Sequence, residues 1–338
     1  MSLKYYSALG LLCLLIFQSC KKNGPDKPTT DHQDGDVSQL YFNKPNGVNI
    51  IVLGDGFIKD DLKKGGAYDT HVKEVIDYLF TIAPFKQYKA YFNTYVVYAE
   101  SKQRGANKTY DPANTNTKFN ASFSDGDYGL LQVGNYDTFY EYVNKAVPKD
   151  KAHLTVLIVN DDSIDASTGG EVALITTSKL AKYTFVHEVG HTFAGLGDEY
   201  VVPEIADNYS LGLIPYIPNL DTTSDPKKVK WSHFLNNDAY RGIVGTFEGG
   251  YYRAKGVYRP EESSVMLDPI ASLNYNAPSR EAIVRKIDEI IGTPFNFDTF
   301  LRDDIPTIHP LSVKVNGNTH PLVNDFIGIK NKAQLMKK

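Results

Sequence analysis

Cysteine is almost missing from these 338 residues: Cys13 and Cys20 are the two present, both at the extreme N-terminus. A body without cysteine excludes a disulfide scaffold and thiolate-bound zinc, so any metal it holds must be taken by His, Asp or Glu. Surplus positive charge is missing as well. Thirty-six Lys and Arg face 40 Asp and Glu, the net charge is −4, and no long run of one sign occurs. That excludes the electrostatic footprint of a nucleic-acid binder. Methionine is scarce, with three residues, and tryptophan is single. What is present is ordinary for a globular chain: 42% hydrophobic and 22% charged residues, long enough for one large domain or two modest ones. The 23 tyrosines and 17 phenylalanines are accounted for by core and surface packing.

Residues 1–19 read as an export signal, with Lys4 as a positive start, Ala8 to Phe17 as an apolar stretch too short to span a bilayer, and Ser19 before Cys20. The pattern resembles a bacterial lipoprotein signal. It implies a lipid on Cys20, the membrane as a partner, and an exported lipoprotein of the cell envelope, at the outer membrane or cell surface. Residues 20–40, rich in Asp, Lys, Gly and Pro, are expected to form a flexible tether; His32 falls within it and is given no role. Residues 41–295 are expected to hold the catalytic domain. Residues 296–338 are expected to be a small β-rich tail, with Asn316-Gly317 as a hairpin signal.

Periodicity orders the domain. Strands are expected over residues 48–56, 91–99, 154–159 and 171–177, and helices over 61–80, 137–147 and 280–291. Gly54-Asp55-Gly56 is a turn that lacks the lysine and spacing of a phosphate loop. Residues 100–130 form a turn-rich insertion, and the carboxylates of 160–165 a solvated loop rather than a calcium site. Alternation of strand and helix implies an α/β (α+β) layered fold.

The chemistry is concentrated in Val186 to Tyr200, which contains H-E-x-x-H. On a helix, positions i and i+4 share a face one turn apart, so His187 and His191 can grip one Zn²⁺. Glu188 beside them can act as base on a metal-bound water. The helix is expected from Lys179 to Phe193, with Ser178 as N-cap and Gly195 as stop. A catalytic zinc needs three protein ligands and an open position, and a chain that turns back at Gly195 can return a carboxylate as the third. Asp198 is favoured there, with Glu199 its rival.

The motif resembles the metzincin class of zinc endopeptidases, with one residue more between His191 and the glycine than that class has. The ending Gly195-Leu196-Gly197-Asp198-Glu199-Tyr200 resembles the IgA-specific zinc metallopeptidase family of gut bacteria. Supporting matches are Leu53-Gly54-Asp55-Gly56, Gly169-Gly170, Phe247-Glu248-Gly249-Gly250, Gly256 to Pro260 and Asn276 to Glu281, and the likeness covers roughly residues 45–292. It implies a zincin fold: a mixed, mostly parallel twisted sheet with an antiparallel edge strand, an active-site helix, and a Met-turn at Met266. In such proteases the strand ahead of the helix is a sheet edge, which assigns Val172, Ala173, Leu174 and Ile175 to pairing with an extended substrate. Tyr251, Tyr252 and Tyr275 are candidate phenols for stabilising an oxyanion. Residues 201–262 are expected to be a loop subdomain across the cleft that shapes specificity.

The reading is a lipid-anchored zinc metalloendopeptidase acting on protein or peptide substrates outside the cell, host glycoproteins or immunoglobulin among them. The rival from another class is a lipid-anchored surface-binding protein on a vestigial protease scaffold. A third reading is a zinc hydrolase acting on cell-wall or glycan-linked peptide.

Overall fold

The computed structural model describes residues 31–108, 115–123, 130–162 and 169–308. The export signal, Cys20, residues 20–30 of the tether and the Asn316-Gly317 hairpin lie outside these residues. The strands are β1 (Val37–Phe42), β2 (Val48–Asp55), β3 (Phe92–Val97), β4 (Asn107–Lys108), β5 (Ser122–Phe123), β6 (Leu131–Gln132), β7 (Leu154–Val159), β8 (Ala173–Thr176), β9 (Phe247–Gly250) and β10 (Arg253–Arg259). The helices are α1 (Ala67–Leu79), α2 (Phe85–Tyr88), α3 (Tyr136–Ala146), α4 (Ala181–Ala194), α5 (Ser232–Leu235), α6 (Ala277–Ile291) and α7 (Phe297–Ile308).

Five strands make the main sheet in the order β1-β3-β2-β7-β8. Strands β3, β2, β7 and β8 run parallel, and β1 closes one edge antiparallel to β3. The mixed, mostly parallel sheet therefore matches expectation. Its antiparallel edge strand is β1, whereas the edge next to the helix of interest, β8, is parallel. Alternation within a strand feeds two cores, as a doubly covered sheet requires. Ile50 and Val52 of β2 and Val156 and Ile158 of β7 pack with α1, α4 and α6. Ile51, Leu53, Leu157 and Val159 face the other side, with Phe139 and Val143 of α3 and with Phe119 and Phe123. Asp55, buried at the end of β2, accepts from the Thr117 hydroxyl at 2.8 Å and from the N–H groups of Phe119 at 3.0 Å and Ala121 at 2.8 Å. This pins the long insertion to the sheet.

Two segments at the ends of the domain are ordered into it. The tether does not reach residue 40. From residue 31 the chain is already docked, with the His32 ring stacked 3.7 Å from Tyr98 and Gly35 N–H donating to the Tyr98 carbonyl at 2.7 Å. The segment after Pro294 opens with helix α7, and the rest of the expected β-rich tail, residues 309–338, lies outside the described residues. Asn296 Oδ1 accepts from Thr299 N–H at 2.8 Å and starts the helix, and Phe300 is buried against Trp231, Phe234 and Val284. A buried Arg280–Asp304 pair at 2.5 and 2.9 Å, with Tyr240 OH donating to Asp304 at 2.7 Å, fastens α7 to α6.

Candidate metal centre

Helix α4 carries the H-E-x-x-H stretch. It begins two residues later than expected: Leu180 is the N-cap, and Ser178 supplies only its backbone carbonyl, to Ala181 N–H at 3.0 Å. The helix ends at Gly195 in the left-handed conformation, φ 63° and ψ 31°. Gly195 N–H donates to the His191 carbonyl at 3.0 Å and Leu196 N–H to that of Gly190 at 3.1 Å. The first of these is the bond of an αL stop, where a residue without Cβ carries no steric penalty. The chain then doubles back, and residue 198 lies against the helix face it has just left.

Three electron-pair donors converge there. Nε2 of His187 and Nε2 of His191 are 3.0 Å apart, and Asp198 Oδ1 lies 3.0 Å from the first and 3.2 Å from the second. His187 Nδ1 sits 3.0 Å from the Val265 carbonyl and His191 Nδ1 2.6 Å from the Leu196 carbonyl. A carbonyl only accepts, so each ring donates its proton from Nδ1 and turns a bare lone pair inward from Nε2. Asp198 Oδ1 is buried and has no hydrogen-bond donor. Two imidazole nitrogens and a carboxylate oxygen at this spacing can share one cation. Tetrahedral zinc, bonded at about 2.0–2.1 Å, sets its ligand atoms about 3.3 Å apart, so the donor set fits it.

The electrostatics agree. Burial opposes charge on both partners. Even so, the Asp198 carboxylate lifts the His191 imidazole to about 9, and His191 and His187 hold Asp198 well below the usual carboxylate range. The cluster takes up a proton when no other cation is supplied. Glu188 is buried next to the two rings, in the same candidate metal-holding group. Burial pushes its carboxyl up, against the pull of His187 and His191.

The rival third donor has other work. Glu199 is fully buried and accepts from Asn219 Nδ2 at 2.7 Å, Ser264 Oγ at 2.5 Å and Asn276 Nδ2 at 2.5 Å. Burial pushes its carboxyl up to about 7. Its backbone N–H donates to the Met266 carbonyl at 2.9 Å. Glu199 thus ties the Asp198 loop to the turn at Ser264–Leu267 and to the N-cap of α6. That turn contains Val265, which orients His187, and Met266, which is fully buried beneath α4. A Cβ built on Gly190 would lie 2.6 Å from Met266 Sδ, so the bare glycine between the two histidines lets the thioether come close.

Tyrosines close the other side. Tyr252 OH donates to Asp198 Oδ2 at 2.5 Å. Tyr251 and Tyr252 have φ of 50° and 66°, a strained backbone for tyrosine, and follow Gly249 and Gly250 at 110° and 156°. The strain is held by Tyr251 N–H donating to the Asp198 carbonyl at 2.8 Å and Tyr252 N–H to that of Tyr200 at 3.0 Å. Tyr275 is different: it is buried under α4, and its hydroxyl donates to the Val186 carbonyl, so it does not reach the cleft. His233 pairs with Glu281 on α6 at 2.7 Å, away from these groups.

Around the cluster lies a cavity of about 450 Å³, lined by Gly169, Glu188, the two histidines, Asp198 and the four residues Tyr200, Tyr209, Tyr251 and Tyr252, with Leu130, Ile205 and Ile217 on its walls. Gly169 touches the site directly, since a Cβ there would meet His191 Cβ at 2.4 Å and Glu188 Oε2 at 3.0 Å. The four β8 candidates are placed otherwise. Ala173, Leu174 and Ile175 lie in the edge strand and Val172 just before it; all four side chains are buried and none lines the cavity. Only their backbone is left for pairing with a substrate. Sequence reasoning missed Gly190 and the hub role of Glu199, and it left the choice among the tyrosines open.

A family model described as IgA Peptidase M64 matches this chain over residues 42–240 and 233–287. No curated protein matches it.

Proposed function

The chain belongs to the IgA peptidase M64 family, and from that membership we propose that it is a zinc-dependent endopeptidase whose metal is held by His187, His191 and Asp198. The observation that carries the proposal is the triangle of His187 Nε2, His191 Nε2 and Asp198 Oδ1, with sides of 3.0, 3.0 and 3.2 Å. Zinc in that position supplies Lewis acidity, which polarises a peptide carbonyl and acidifies water.

The protein's own groups do the rest. Val265 and Leu196 fix the tautomers of the two rings through their carbonyls. Tyr252 fixes one oxygen of Asp198 and leaves the other free to bind. Glu188 takes the proton from the attacking water and delivers it to the leaving amine; its burial raises its basicity toward the range that task needs. Met266 forms a soft apolar floor under the histidines, the role of a Met-turn. The backbone of β8 offers an edge to an extended substrate.

Substrates on this reading are extracellular proteins, host glycoproteins or immunoglobulin among them. The N-terminal pattern supports an exported lipoprotein of the cell envelope anchored through Cys20. No feature of the site favours a vestigial surface-binding scaffold over an enzyme. The test is a peptide-library digest by the mature protein with and without chelator. Cleavage that chelator stops and zinc restores supports the reading; intact peptides in every arm overturn it.

A further inference from the structure

Apolar side chains left in water gather beside the cavity. Of the nine large apolar side chains exposed among the described residues, four belong to one stretch: Val201, Leu211, Leu213 and Tyr216, at 41, 44, 53 and 83% exposure. Leu130, at 52%, lines the cavity itself. Single exposed apolar residues need no explanation, but a contiguous group rimmed by polar residues marks a binding surface. Leu211 to Tyr216 form a short 3₁₀ helix. Its inner residue, Ile214, is buried with Leu220, Tyr251 and Tyr252, while its outer residues face solvent. The residues flanking the helix, Tyr209 and Ile217, line the cavity.

The surface is held rigid from below. The half-buried Lys230 ammonium donates to the carbonyls of Ile214, Ile217 at 2.7 Å and Leu220 at 2.6 Å. The Arg253 guanidinium donates to the Tyr209 carbonyl at 2.9 Å. Neither cation is presented to the cleft; both serve to fix backbone. Residues 201–220 include two acids, Glu204 and Asp207, and no Lys or Arg. Nothing on this stretch would reward an acidic side chain.

We propose that residues 209–217 form an apolar shelf, continuous with the cavity, that takes neutral apolar side chains of a polypeptide substrate flanking the scissile bond. The shelf rests on the peptidase reading. Its occupant follows from continuity: a cavity of about 450 Å³ holds only a short piece of chain, and the segment that carries the exposed Leu211, Leu213 and Tyr216 is bounded by the cavity-lining Tyr209 and Ile217. Binding energy gathered there, away from the reacting bond, favours long substrates over short ones.

The test uses the zinc-loaded mature protein with two probes, fluorescein-labelled casein and a mixture of quenched fluorogenic hexapeptides. In the triple variant Leu211→Gln/Leu213→Gln/Tyr216→Gln, the ratio of casein to hexapeptide kcat/KM is expected to fall about ten-fold or more, through KM. Tyr216→Phe, which keeps the apolar face, is expected to hold the ratio. A matching melting temperature certifies the fold, since these side chains are exposed. An unchanged ratio in the triple variant overturns the shelf. So does a wild-type dimer that the triple variant dissociates while the ratio holds, because the patch would then serve a second copy of this chain. If the wild type cuts neither probe, the peptidase reading fails, and the shelf falls with it.

Discussion

Tyr252 donates its hydroxyl hydrogen to Asp198 Oδ2 at 2.5 Å, across 54 residues of chain. The bond engages one carboxylate oxygen and leaves Oδ1 turned toward the two histidines. Partners of this kind orient a ligand and sustain its affinity. Tyr252→Phe is therefore expected to raise the zinc dissociation constant about 10–100-fold. The fold should survive, because the strained backbone is held by the Tyr251 and Tyr252 N–H groups rather than by the phenol. Competition against a chromophoric chelator measures the change, and an unaltered affinity would remove Tyr252 from the metal's support.

Gly190 lies where α4 crosses Met266. Alanine normally stabilises a helix by up to about 1 kcal/mol over glycine. Here its Cβ would sit 2.6 Å from Met266 Sδ, 3.1 Å from Tyr275 Cε1 and 3.2 Å from Leu196 Cδ1, all on buried side chains. Overpacking of that order costs about 1–3 kcal/mol, so Gly190→Ala is expected to lower stability despite its propensity. Adding Met266→Ala to it should cost less than Met266→Ala costs alone. Denaturant melts of the single and double variants decide it; a Gly190→Ala protein more stable than wild type would show that the floor has room.

Glu281 gives a pH dependence that stands apart from the metal. Burial opposes its ionisation, but His233 at 2.7 Å and Arg285 at 2.6 Å outweigh burial and hold its carboxyl below the ordinary value of 4.5. The folded state therefore binds fewer protons at this group than the unfolded chain does. The stabilisation is present above pH 4.5 and is lost as pH falls through the folded value. Glu281→Gln is expected to cost about 1–3 kcal/mol at neutral pH. The gap to wild type should narrow as pH falls below that range. Thermal melts across pH measure it, and a gap constant with pH would contradict the assignment.

What could be read from sequence was short in range. His187, Glu188 and His191 announce themselves within one helical turn, and Gly195 as a stop needs only the residues beside it. Strand β7 was legible because both its faces are covered, which leaves an unbroken apolar run. The contacts that choose among neighbours are long in range. Asp198 and Glu199 are adjacent, and what separates them is Asn219, Ser264 and Asn276, which reach Glu199 from 20, 65 and 77 residues away. No local pattern carries that. Ser178 is a fair N-cap by type, but the cap position falls at Leu180, which has no capping side chain. Helix α7 did leave a signal: Asn296 as cap, then Phe297, Phe300, Leu301 and Asp304 at helical spacing.

The central claim is that His187, His191 and Asp198 hold zinc while Glu188 moves the proton. The most direct measurement takes zinc content and peptide hydrolysis on the same preparations of wild type and Glu188→Gln. The account predicts equal zinc in both, hydrolysis by the wild type that chelation stops and zinc restores, and turnover in the variant lower by about 10²–10⁴-fold. Wild-type turnover in zinc-loaded Glu188→Gln would contradict it.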